Sequence, residues 1–251
     1  MNPSAGHGAM SGNLFLDRAI ADRDEIQQYL DTKVDLKKGQ KLAVGSYTYF
    51  PINTLVSLSV ILKNGYIAEI RQIGRDGVVG LLNFIEQNAS LATATVLSAG
   101  SAYRIKADVI HDIFERSSQF RMTTLQYMQA VMQEASQNVI CSRFHSISQQ
   151  CCRSLLAAAD RTGSQTVYLT HEQLAVAIGC RREAVSLAAR QLQLAGIIHY
   201  NYGKIIILDR KEMETRACEC YYTIRKSFSP LLPPDETGTT NKNDMLAVEI
   251  L

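Results

Sequence analysis

The stretch GCRREAVSLAARQL, residues 179–192, sets a glycine and two adjacent arginines ahead of an apolar repeat. Guanidinium groups on the first turn of a helix are poorly placed for stability, because the backbone dipole there favours anions. They gain a purpose if an anion from outside completes the site. Arg182 can present a fork to O6 and N7 of guanine, and Glu183 can accept a hydrogen bond from N4 of cytosine. The backbone amides of the same turn can meet phosphate oxygens. These residue types at this spacing point to recognition of double-stranded DNA.

A helix-turn-helix would hold them in place. Thr170 and Gln173 have the spacing of a capping box, with Leu169 and Leu174 as a hydrophobic staple across it, so a helix is predicted to start at His171. Gly179 can take the left-handed conformation that ends this helix, and a second begins at Arg182 after a turn of about three residues. On the second helix Val185, Ala188, Ala189 and Leu192 face inward at helical spacing. The small residues Ala175, Ala177, Ala188 and Ala189 let the two helices cross closely. Gly196 stops the second helix, and IIHY, NYG and KIIIL predict a hairpin with Lys204 beside its turn, a wing suited to the phosphate backbone. Cys180, Arg181, Arg182, Glu183, Ser186, Arg190 and Lys204 are the candidate DNA-facing residues. An Arg-Arg pair alone is commonly a solvated face. The cap, turn glycine, crossing residues and wing in register argue for a site.

The remainder of the chain predicts an α+β protein in which this unit, residues 145–226, is the third of three regions. In the first, residues 12–112, the helical pattern LDRAIADRDEIQQYL precedes strand signals in TLVSLSVIL and YIAEIRQI, with Asn64-Gly65 as a hairpin signal between them. Gly74, Gly77, Gly80 and Gly100 punctuate the rest of this region, which predicts an antiparallel sheet folded on itself. The second region, residues 113–142, reads as one long helix. Leu125, Met128, Met132, Ala135 and Val139 recur on it at spacings of three and four, a heptad seam. Such a seam can pack on the protein's own sheet or on the same helix of a second chain. The polar surroundings QEASQ and QNVICSR favour the second, a homodimer. Residues 227–251, rich in Pro, Thr and charge, predict a mobile tail.

With 251 residues and 46% hydrophobic composition the chain can bury a core. No apolar run approaches the roughly 20 residues of a membrane span, and MNPSAGHGAM lacks the pattern of a signal peptide, which predicts a cytoplasmic protein without a membrane partner. Net charge is only +2, but residues 161–226 carry ten Lys/Arg against six Asp/Glu. That local excess permits nucleic-acid binding. Six cysteines without a C-x-x-C pair predict reduced, buried thiols and no disulfide framework. Cys218 and Cys220, if helical, point to different faces and cannot share a metal, so neither metal nor other cofactor is expected.

LTHEQLAVAIGCRREAVSLAARQLQLAGII, together with YFP, GRDGVVG and RACECYYTIR, resembles the Crp–Fnr family of bacterial transcription regulators, and the resemblance runs from about Asn13 to Arg225. It implies an N-terminal β-roll of the cyclic-nucleotide-binding type, a dimerisation helix and a C-terminal winged helix-turn-helix, with RNA polymerase as a further candidate partner. It also implies that Thr170 touches a phosphate and that Arg182 and Glu183 read bases. Leu187 stands where the best-known members carry a second base-reading arginine, so the preferred half-site should differ from that of the cyclic-AMP receptor, with Leu187 limited to a thymine methyl.

Cyclic-nucleotide sensors of the family grip the ribose with a Gly-Glu pair and the phosphate with an Arg-Ser/Thr pair. This chain has Gly80-Leu81 and no Lys or Arg between Arg75 and Arg104. A buried phosphate left unpaired would cost several kcal/mol or more, so no cyclic-AMP binding is expected and the effector is left unassigned. No cysteine precedes Cys141, which removes the N-terminal ligands of an oxygen-sensing iron–sulfur cluster, and the sensing region offers a haem only His7 and His111. The competing function is a ligand- or protein-binding scaffold whose winged helix contacts protein. No triad, paired-carboxylate cleft or phosphate loop supports an enzyme.

Overall fold

The computed structural model describes residues 11–19, 33–81 and 92–231. After a short helix α1 (Leu14–Ala19) come six strands: β1 (Lys33–Leu36), β2 (Tyr47–Pro51), β3 (Leu55–Ile61), β4 (Ile67–Ile73), β5 (Thr93–Ser98) and β6 (Gly100–Lys106). They form two open antiparallel three-stranded sheets, ordered β1-β6-β2 and β4-β3-β5. Alternate residues of both sheets, among them Leu36, Tyr49, Val56, Ile73, Val96 and Ala102, make the core of the roll. The β3–β4 hairpin closes where Asn64-Gly65 predicts it. Its loop has three residues, because the Leu62 amide donates to the Tyr66 carbonyl (2.8 Å) and Gly65 takes φ +84°. His7, most of the helical pattern after Ala19 and the chain beyond residue 231 lie outside the described residues.

The helix predicted over 113–142 is divided. A helix α2 (Ala107–Arg116) ends first, and α3 (Ser118–Phe144) starts after it. Ser117 sits between them with extended backbone, and its hydroxyl accepts from the Phe120 amide, a cap that favours a new start over continuation. Of α3, Phe120, Thr123, Tyr127, Ala130, Glu134 and Cys141 are buried against the chain itself.

Helix α4 (Ile147–Thr162) leads into β7 (Thr166–Val167), helices α5 (His171–Ile178) and α6 (Arg182–Leu194), and the hairpin β8 (Ile198–Asn201)–β9 (Lys204–Ile207). The third sheet, ordered β7-β9-β8, has one strand more than the predicted hairpin. Two short helices, α7 (Arg210–Arg216) and α8 (Cys220–Ser227), finish the unit. The predicted tail starts too early: α8 reaches Ser227, and Phe228 and Leu231 are buried with Phe15 and Tyr127. Their apolar surface outweighs the loop-forming prolines around them. The expectation that Cys218 and Cys220 lie on one helix also fails. Cys218 occupies the turn between α7 and α8, so the helical argument for diverging side chains does not apply.

A buried ionic cluster joins the parts. Glu134 on α3 lies between Arg161 on α4 (2.5 Å) and Arg71 on β4 (3.0 Å), and Arg161 also reaches Asp76 (3.2 Å). The Arg71–Glu134 approach is an ion pair whose angles do not suit a hydrogen bond. Arg71 donates instead to the Tyr127 hydroxyl at 2.9 Å. Burial pushes the Glu134 carboxyl up, but the Arg161 and Arg71 charges more than reverse this and hold it below the ordinary carboxylate range. Beside the cluster a cavity of about 250 Å³ opens between α4, the end of the roll, Glu134 of α3 and helices α7 and α8.

Candidate nucleic-acid interface

The sequence builds the two crossing helices as expected. Thr170 and Gln173 form a reciprocal capping box at the start of α5, and Leu169 and Leu174 are both buried beneath it. Gly179 ends α5 at φ +79°. Val185, Ala188, Ala189 and Leu192 turn α6 inward onto a core shared with Leu155, Leu156 and Ile205.

The front of α6 is consequently open. Arg181, Arg182, Glu183, Leu187 and Arg190 are exposed, and Arg182 has no ion pair or hydrogen bond among the described residues. Arg181 occupies the N-cap with no side-chain capping bond, so among the described residues no cap competes with an anion for the amides of the first turn. Thr170 and Cys180 are half-buried, the latter packed against the core.

Ser186 is less free than its predicted outward position. Its hydroxyl is 3.0 Å from Nδ1 of His171, across the helix crossing. The His171 ring stacks on Tyr200 of the wing, with centroids 4.2 Å apart. Burial and, after it, the Arg182 charge push the His171 pKa below the usual imidazole range, so the ring is neutral at pH 7. A neutral histidine thereby ties α5, α6 and the wing together. Only its position beside the cap hinted at this in the sequence, because its partners lie far along the chain.

At the wing tip the turn is Tyr202-Gly203, with φ +44° and +80°, next to exposed Lys204. Both positive angles suit a tight hairpin turn. For a bulky non-glycine residue that conformation is costly, by about 1–3 kcal/mol, and the Tyr202 side chain is fully exposed (100%). The Tyr202 ring thus stands free at the tip of the wing, a position that tyrosine in the sequence does not signal. A side chain at Gly203 would press on the Thr170 methyl at 3.3 Å, so the wing tip and the α5 cap form one continuous surface.

The proposed seam on α3 does not pack on the protein's own sheet. Leu125 (56%), Met132 (70%) and Val139 (52%) are exposed, Ala135 is exposed and Met128 half-buried. Among the described residues, no helix is long and apolar enough to cross a membrane.

Residues 149–216 match the Crp-like helix-turn-helix domain. FixK2 from Bradyrhizobium japonicum has a similar structure, with a TM-score of 0.63 at 16% identity over 74% of this chain and 97% of that one. A putative cAMP-binding regulatory protein from Silicibacter pomeroyi gives 0.60 at 16% identity, over 82% and 96%. A CRP/FNR-family transcriptional regulator from Thermus thermophilus gives 0.59 at 19% identity, over 74% and 97%. No curated protein matches the sequence.

Proposed function

We propose, from a Crp-like helix-turn-helix domain carried on the fold of the Crp/Fnr regulators, that the chain is a sequence-specific DNA-binding transcription regulator that acts as a cytoplasmic homodimer. The observation that carries this reading is the solvent-facing start of α6, which has no side-chain cap and where Arg182 meets no carboxylate among the described residues. A scaffold whose winged helix contacts protein would be favoured by a helix front buried against the roll or by DNA binding insensitive to salt; the front is exposed here, and the salt dependence of binding separates the two readings. In a dimer joined along α3, two copies of α6 would address half-sites about one helical turn, roughly 34 Å, apart. Selection of bound sequences from a random duplex library tests this, with a two-fold symmetric consensus as the expected result.

Arg182 and Lys204 carry different parts of the binding. Arg182→Ala should lose about 1–3 kcal/mol on the selected site and relax preference at one base pair. Lys204→Ala should weaken all duplexes about equally and lower the salt slope by about one. Equal losses for Arg182→Ala on selected and random DNA in fluorescence anisotropy would remove it from base reading.

The effector is not cyclic AMP. At Gly80-Leu81, where the family resemblance looks for a carboxylate, Leu81 is buried with Phe15, Phe50 and Phe120. Calorimetry with cyclic AMP is expected to show no binding, and micromolar affinity would reverse the assignment.

A further inference from the structure

Four potential ligands converge where the long helix meets the DNA-binding unit. Cys141 on the last full turn of α3 and His145 at its C-cap are four residues apart and share a face. Cys218, from the turn after α7, and Cys220, the first residue of α8, approach from the other side. Their donor atoms all lie within 4.8 Å of one another. The Cys141 and Cys218 sulfurs are 3.5 Å apart, and Sγ of Cys220 is 3.4 Å from Nδ1 of His145. With zinc–sulfur bonds of about 2.3 Å and zinc–nitrogen bonds of about 2.0–2.1 Å, the edges of a tetrahedron are about 3.8 Å between sulfurs and about 3.5 Å between sulfur and nitrogen. The Cys141–Cys218 and Cys220–His145 distances are close to those edges, and the remaining pairs, none above 4.8 Å, need to draw in by at most about 1 Å.

The surroundings match as well. Glu219 places Oε1 at 3.0 Å from Nε2 of His145, which leaves Nδ1 turned toward the thiols. A carboxylate on the far nitrogen is the usual way a ligating imidazole is oriented. Gln137 Nε2 donates to Sγ of Cys220 at 3.1 Å, a bond that would stabilise a thiolate. A disulfide between Cys141 and Cys218 would use two of these groups and leave the other two unexplained. An iron–sulfur cluster would have to fit its own iron–iron edges inside a cage this small. Three cysteines and one histidine around a single point suit zinc.

We infer that Cys141, His145, Cys218 and Cys220 bind one zinc ion that clasps the C-terminal helix α8 to the junction of α3 and α4. Binding releases three thiol protons to the solvent. Because the clasp sits at the joint between the dimer helix and the DNA-binding unit, its loading sets how firmly that unit is held for DNA; this consequence rests on the regulator reading above.

Full-length protein purified under reducing conditions without chelator should contain one zinc per chain by mass spectrometry. After chelation, one equivalent of Co²⁺ should give the absorption of a tetrahedral thiolate site, and zinc should abolish it. Cys218→Ser and Cys220→Ser should each lower metal content at least tenfold. His145→Cys should retain it, as should Cys151→Ser, whose thiol lies in the separate core of the DNA-binding unit. A folded wild type that takes up neither metal, a Cys141–Cys218 disulfide in its place, or full metal in Cys218→Ser would overturn the site. On the selected operator, zinc removal should weaken binding at least tenfold, with recovery on reloading, and equal affinities would overturn the clasp's role. Metal content is read without DNA, so a chain that holds zinc yet binds no duplex would count against the regulator reading alone.

Discussion

Glu134→Ala is expected to lower folding stability by about 3–5 kcal/mol, the cost of leaving buried cations without their counter-charge. Arg71 and Arg161 have side chains only 6% and 8% exposed, so water cannot replace the lost carboxylate. Arg161 would keep Asp76, whereas Arg71 would keep a neutral Tyr127 hydroxyl. Chemical denaturation at fixed protein concentration measures the loss, read as a lower midpoint at unchanged slope. Glu212→Ala supplies the contrast. It breaks the exposed Arg216–Glu212 pair on α7, and its effect should stay within about 1 kcal/mol. Similar losses in the two variants would mean that the Glu134 cluster is solvated in solution.

The same cluster sets a pH dependence. The Glu134 carboxyl titrates below its ordinary value in the folded chain, so the unfolded chain binds that proton more readily. Its contribution to stability is therefore complete above about pH 5 and is lost as pH falls through the lower, folded value.

None of this cluster was legible in the sequence. Arg71, Asp76, Glu134 and Arg161 stand on different elements, and isolated charges in a linear chain read as surface. The Cys-His cage escaped for a related reason: 77 residues separate Cys141 from Cys218, and RACECYYTIR has the composition of a helix although the chain turns at Cys218. Local devices were legible because both partners are near neighbours. The Thr170–Gln173 box spans three residues, and Gly179 needs only its own positive φ. The break at Ser117 could have been found by the same local rule, since a serine three residues before Phe120 is a cap signal. The strained wing tip at Tyr202 could not, because tyrosine gives no hint of a left-handed conformation.

The α3 seam was legible as a period but ambiguous as to partner, and geometry narrows that choice. Residues two apart on a helix point about 200° apart, so Met132 faces away as Glu134 faces in. One side of α3 is therefore committed to the chain's own core, and the other presents exposed Leu125, Met132, Ala135 and Val139. In a two-fold dimer along this seam Met132 of each copy would meet its counterpart. Met132→Glu then buries two like charges together, at a cost of several kcal/mol. A loss of only about 3 kcal/mol already raises the dimer dissociation constant more than about 100-fold. Sedimentation across a concentration series should show dimer for the wild type and monomer for the variant. Gln133→Glu, one residue along on an exposed position off the seam, should remain dimeric. Operator affinity should fall with the dimer, because a single α6 keeps its own contacts but loses the effective concentration supplied by the second. An unchanged mass for Met132→Glu would remove α3 as the interface while leaving DNA contact by a single unit intact.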